Sequence, residues 1–88
     1  MNHRHRKLLH ALFSHPMPAN LDRHDVETML SEIGAEIDRT NHGHLIASHA
    51  GHSVSLHASE RDLSKDDVNH LKKFIGACGI DPARDYPL

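Results

Sequence analysis

Histidine is the residue whose abundance and spacing suggest chemistry in this chain. Eleven of the 88 residues are histidines, and five of them, His42, His44, His49, His52 and His57, lie close together in the middle of the sequence. With a reference pKa near ~6.5, imidazole is the side chain that exchanges a proton around neutrality. Two such rings held together can act as general base and general acid, or can bind a metal through neutral nitrogen atoms. Either use requires a backbone that brings two of them to one place.

A hairpin does this. Residues 44–49 (HLIASH) and 52–57 (HSVSLH) alternate as strands do and flank Ala50-Gly51, a weaker turn signal than Asn-Gly. An even loop centred on that dipeptide sets Ala47 opposite Val54 and Leu45 opposite Leu56, placing four apolar side chains on one side of the sheet, as a core requires. The other side then carries Ser48 with Ser53, Ile46 with Ser55, and His44 with His57. Directly opposed residues have Cβ atoms about 4.5–5.5 Å apart. His42, two positions before His44, shares that side if the strand extends so far.

Three readings of this cluster stand side by side. It is a solvated polar face, an acid/base pair, or a metal site built from His42, His44 and His57. No second cysteine at ligand spacing accompanies the third. His3, His5, His10, His15, His24 and His70 read as solvated surface residues.

The elements that must hold the hairpin are legible from periodicity. Residues 5–14 put Leu8, Leu9, Leu12 and Phe13 on one side of a helix, and His15-Pro16-Met17-Pro18 ends it, because proline lacks the amide a helix interior needs. Asp22 is an N-cap with Asp25 in the following turn, and Val26, Met29, Leu30 and Ile33 form the apolar stripe of a second helix that stops at Gly34. Residues 35–40 read as a short strand. Ser64 and Asp67 make a capping-box-like start for a last helix, with Val68, Leu71, Ile75 and Cys78 as its stripe, Phe74 beside it and Gly79 as its stop. Residues 81–88 read as a proline-containing tail. The order helix, helix, three strands, helix predicts one small α+β domain.

Composition narrows the class. A chain of 88 residues buries only about 60% of its unfolded surface. With 38% hydrophobic residues, no Trp, one Tyr and two Phe, its core is thin, and no cofactor is expected. The single cysteine, Cys78, cannot form an internal disulfide, which points to a reducing cytoplasm. The start is basic through Arg4, Arg6 and Lys7, but His10, Ser14 and His15 break the apolar run after it, so neither a signal peptide nor a membrane span is expected. The net charge of −2 is unevenly spread, with bases dominating residues 1–24 and acids dominating residues 25–41 around Arg39. That is not the Lys/Arg density of strong nonspecific nucleic-acid binding.

The stretch from Gly34 to His44 (GAEIDRTNHGH) resembles the HicA toxin family. That family has a helix ending in Gly-Trp, a strand with an Arg, a Gly-Ser-His triplet, a hairpin, and a final helix closing near Ala-Gly-Leu. Gly34 falls at the first glycine, Arg39 at the strand arginine and His44 at the histidine, and Cys78-Gly79-Ile80 is similar to the closing motif. Ala35 stands in place of the Trp, and His42-Gly43 in place of Gly-Ser.

The resemblance implies a HicA-like α-β-β-β-α domain over residues 21–80. Residues 1–20 would be a helical extension and residues 81–88 a tail. The implied fold is double-stranded-RNA-binding-like, a three-stranded antiparallel sheet with helices on one face. The implied activity is metal-independent cleavage of mRNA, with a HicB-like antitoxin as protein partner. On this reading His44 is the base, His57 its partner, and Arg39 and His42 contact RNA. For Arg39 the plain alternative is a solvated strand charge. The altered triplet also allows a module that kept the fold and binds RNA or protein without catalysis. The apolar face of residues 1–20 must pack on the domain or on a partner, and an added layer on a thin core is the favoured reading.

Overall fold

The structure, a computed structural model, describes residues 2–14, 21–40, 43–57 and 61–88. Its helices are α1 (His3–Leu12), α2 (Arg23–Glu32), α3 (Lys65–Ala77) and α4 (Pro82–Asp85), and its strands are β1 (Glu36–Arg39), β2 (His44–His49) and β3 (His52–His57). The strands form one antiparallel sheet in the order β1-β2-β3. This is the α+β architecture expected from the sequence, with an N-terminal helix preceding it.

Local chemistry explains the boundaries. The Asn2 side chain accepts the His5 amide at 2.8 Å, so α1 starts ahead of its apolar stripe. Asp22 accepts the amides of His24 and Asp25 at 2.8 and 3.3 Å and caps α2. The Asp25 amide, together with the His24 amide and the Arg61 guanidinium, holds the Asp22 carboxyl below its usual range against a smaller opposing effect of burial. Backbone bonds from Arg23 to Arg61 and from Leu63 to Leu21 tie the start of α2 to the segment entering α3.

The turn at Ala50-Gly51 has φ of 52° and 81°, the doubly left-handed geometry that suits a two-residue hairpin. It fixes the register foreseen above. Ala47 faces Val54, Leu45 faces Leu56, and all four lie in the core. From the other layer come Val26, Met29 and Leu30 of α2, Leu71, Phe74 and Ile75 of α3, and Leu9 and Leu12 of α1. Fully burying a side chain of this kind is worth about 1.5–3 kcal/mol, so each buried leucine of α1 contributes to the core as a buried side chain of the other helices does. The open face of the sheet carries Glu36 and Asp38 of β1, His44, Ile46 and Ser48 of β2, and Ser53, Ser55 and His57 of β3, by strand alternation.

Two expectations are corrected. Residues 81–88 are not simply a tail: Asp81 caps α4, with Pro82 in the first turn where a missing amide does no harm. His5 is not a solvated surface residue, being 6% exposed, because its ring Nδ1 meets Glu32 at 2.6 Å across the α1–α2 contact. His10 is also engaged, through Nε2 at 2.7 Å from the Tyr86 carbonyl, while His3, His24 and His70 are exposed as expected. His15 and the Pro16–Pro18 stop lie outside the described residues. No helix of the described residues is long and apolar enough to cross a membrane.

Candidate active site

His44 opens β2 and His57 closes β3, and the register sets them directly opposite one another. The His44 amide donates to Thr40 Oγ1 at 3.2 Å and its carbonyl accepts the Thr40 amide at 2.9 Å. The His57 amide donates to Asp67 Oδ2 at 3.0 Å. The backbone groups of both residues therefore point away from the facing strand, making this a non-hydrogen-bonded pair, the type in which side chains approach more closely. The ring centroids lie 5.2 Å apart, with the ring planes tilted by 47°.

Asp67 is the third member of the site. It lies in the first turn of α3, is 2% exposed, and stands 3.1 and 3.2 Å from His57 Nδ1 through its two oxygens. A carboxylate can only accept, so Nδ1 carries the proton and Nε2 is left for a ligand. The His57 side chain is nevertheless 67% exposed, so that nitrogen is accessible. One carboxylate thus holds both the backbone and the ring of a solvent-facing histidine.

Sequence reasoning had seen Asp67 only as part of a capping box. The Ser64 half of that pattern is present, with Ser64 Oγ accepting the Asp67 amide at 3.2 Å. The Asp67 carboxylate turns instead to the end of β3. The usable signal was the short connection from His57 to the start of α3, which brings an acid in that first turn beside the strand's last residue.

The other expected site residues do not join this pair. Arg39 pairs with Leu45, a core-facing position, so its side chain leaves β1 on the helix side of the sheet. There its guanidinium donates to Glu27 Oε1 at 2.6 Å, while Arg23 takes Glu27 Oε2 at 2.7 Å. Arg39 is thus partnered with a buried acid, and it stands on the face away from His44 and His57. His42 lies outside the described residues.

The central histidines also divide into two groups. His49 and His52 pair at the far end of the hairpin on the helix side. A Cβ at Gly34, whose φ is +98°, would come within 3.3 Å of the His49 ring, so that ring closes against the end of α2. Among the described residues no three His, Cys, Asp or Glu side chains converge as a metal site. Cys78 donates to the His49 carbonyl at 3.4 Å, and burial pushes its thiol up, away from the reactive thiolate.

What the geometry supplies is a half-buried imidazole, His44, beside an exposed one, His57, whose tautomer is set by a buried acid. No protein-family model, curated protein or solved structure matches the chain.

Proposed function

We propose that this protein is a HicA-like, metal-independent ribonuclease that uses His44 and His57 as its acid/base pair. The observation that carries the reading is the 5.2 Å pairing of the two rings on the open face, with Asp67 holding one of them. The resemblance of residues 34–44 to the HicA pattern supports it from the sequence side and suggests a HicB-like antitoxin as partner.

The chemistry follows from the groups present. His44 takes the proton of a ribose 2′-hydroxyl, and the resulting oxygen attacks the adjacent phosphorus. A new P–O2′ bond forms as the P–O5′ bond breaks, and His57, acting in its imidazolium form with Nδ1–H on Asp67, gives its Nε2 proton to the departing 5′ oxygen. The products are a 2′,3′-cyclic phosphate and a 5′-hydroxyl. DNA lacks the attacking hydroxyl, so the reaction selects RNA by chemistry. Asp67 acts as a positioning residue through His57 and does not touch substrate.

The test is incubation of the purified protein with single-stranded RNA in excess chelator. Cyclic-phosphate ends that disappear in His44→Ala and in His57→Ala support the proposal. RNA left intact by the wild-type protein overturns it.

A second reading is favoured by one specific observation. The three strands contribute Glu36 and Asp38 to the open face but no Lys or Arg. Such a face suits a binding module without catalysis, for which a partner bound equally well by wild type and His44→Ala is the expected result.

A further inference from the structure

We propose that the outer edge of β3 and the neighbouring face of α3 form a docking groove for an acidic peptide that adds to the sheet as a fourth strand. Among the described residues β3 has only β2 as a strand neighbour, so its other side is a free edge. The His57 amide points to that side, toward Asp67. Backbone groups alternate along a strand, so the amides of Ser53 and Ser55 point outward as well. No proline or bulge interrupts this six-residue edge, and no strand charge is turned inward along it, the devices by which natural sheets block further pairing.

Beside the edge runs a groove of about 480 Å³. Its floor is Val54 and Phe74 with Ala77, and its rim is Lys73 with the imidazoles of His52 and His70. A chain laid along β3 would satisfy the outward amides with its carbonyls. Alternate side chains of that chain would enter the groove. The floor accepts small apolar groups there, and the rim of one ammonium and two imidazoles, with no carboxylate among the lining residues, selects an acidic segment. This site is separate from the His44–His57 face, and its test does not depend on cleavage.

The probe is a blocked hexapeptide with threonine at every second position and glutamate, valine and glutamate between, so that acidic and apolar side chains share the face that enters the groove, titrated into the isotopically labelled full chain and followed by amide NMR. The expected result is saturable shifts confined to residues 52–56 and to the His70–Ala77 face, with a Kd below about 1 mM. Lys73→Glu should weaken binding by about threefold or more, and a lysine-for-glutamate peptide should not bind. Ser55→Pro should abolish binding while leaving the β2–β3 ladder intact, because the amide it removes faces outward. If that variant fails to fold, a peptide N-methylated at alternate residues applies the same test from the ligand side and should not bind. The proposal is overturned by absence of saturation, by shifts centred on His44 and His57, by equal binding of the lysine peptide, or by a dimer whose own β3 edges are already paired.

Discussion

Asp67 accepts two hydrogen bonds from His57, one from the backbone amide at 3.0 Å and one from ring Nδ1 at 3.1 Å. The first locks the end of β3 to the first turn of α3, and the second fixes which ring nitrogen faces away from the acid. A carboxylate at this position also complements the helix dipole. One side chain therefore ties β3 to α3 and, under the ribonuclease proposal, positions the histidine acid.

Asp67→Asn separates the two roles. The amide keeps the size of the side chain but removes the carboxylate charge beside the ring of the acid form, and its NH2 group cannot accept the Nδ1 proton. We expect cleavage of single-stranded RNA to fall about 10²–10⁴-fold, mainly in kcat, with KM and the fold retained. Steady-state kinetics with circular dichroism checks this. A loss confined to KM would argue that Asp67 acts on binding instead.

The hairpin predicts a gain rather than a loss. Ala50 holds φ at 52°, a left-handed conformation that costs an ordinary L-residue about 1 kcal/mol. Ala50→Asn, which tolerates this region, should raise unfolding stability by about 0.5–1 kcal/mol. Urea denaturation with an unchanged m-value would establish it, since the same surface is then exposed on unfolding.

The alternation of residues 44–57 was enough to give the sheet register and the His44–His57 pairing, because a one-residue slip would have turned Leu45, Ala47, Val54 and Leu56 out of the core. The helices were legible for the same reason, through stripes such as Val26, Met29 and Leu30. What pattern could not supply was the partner of a polar residue distant in sequence. His5 finds Glu32 and Arg39 finds Glu27 only after helices and strands have packed. The placement of Arg39 was missed because the period of two decides its face only once its opposite number, Leu45, is known.

At the C-terminal end, Arg84 clasps Asp85 through Nε and Nη2, both at 2.9 Å, and the Asp81 amide adds a third bond at 2.9 Å. The Arg84 bonds are the largest cause, followed by the Asp81 amide, and the Asp85 carboxyl is pushed down to about 2. A carboxyl depressed in the folded state favours folding above its unfolded value. That contribution is lost as pH falls from the ordinary carboxylate range through about 2. Carboxyl NMR should show Asp85 titrating at the low value in wild type and distinctly higher in Arg84→Ala, yet still below its ordinary value, because the Asp81 amide bond remains.

Leu12 decides whether the N-terminal helix is an integral layer or an arm held ready for a partner. It and Leu9 are 0% exposed and share the core cluster with Met29 and Leu30 of α2. The contact is reinforced by His5 on Glu32 at 2.6 Å and Arg4 on Asp25 at 2.7 Å. An exposed ion pair such as the second adds little, so the apolar contact should dominate. Leu12→Ala removes buried methyl groups and leaves a cavity, at a cost of about 2–5 kcal/mol in a core site. For a domain this small that is a large share of the total stability. The expected outcome is a single cooperative transition shifted to lower denaturant, with α1 and the sheet unfolding together. Hydrogen exchange supplies the contrary result: loss of protection confined to residues 3–12, with the β2 and β3 amides unchanged, would show that α1 opens independently and belongs to an interface.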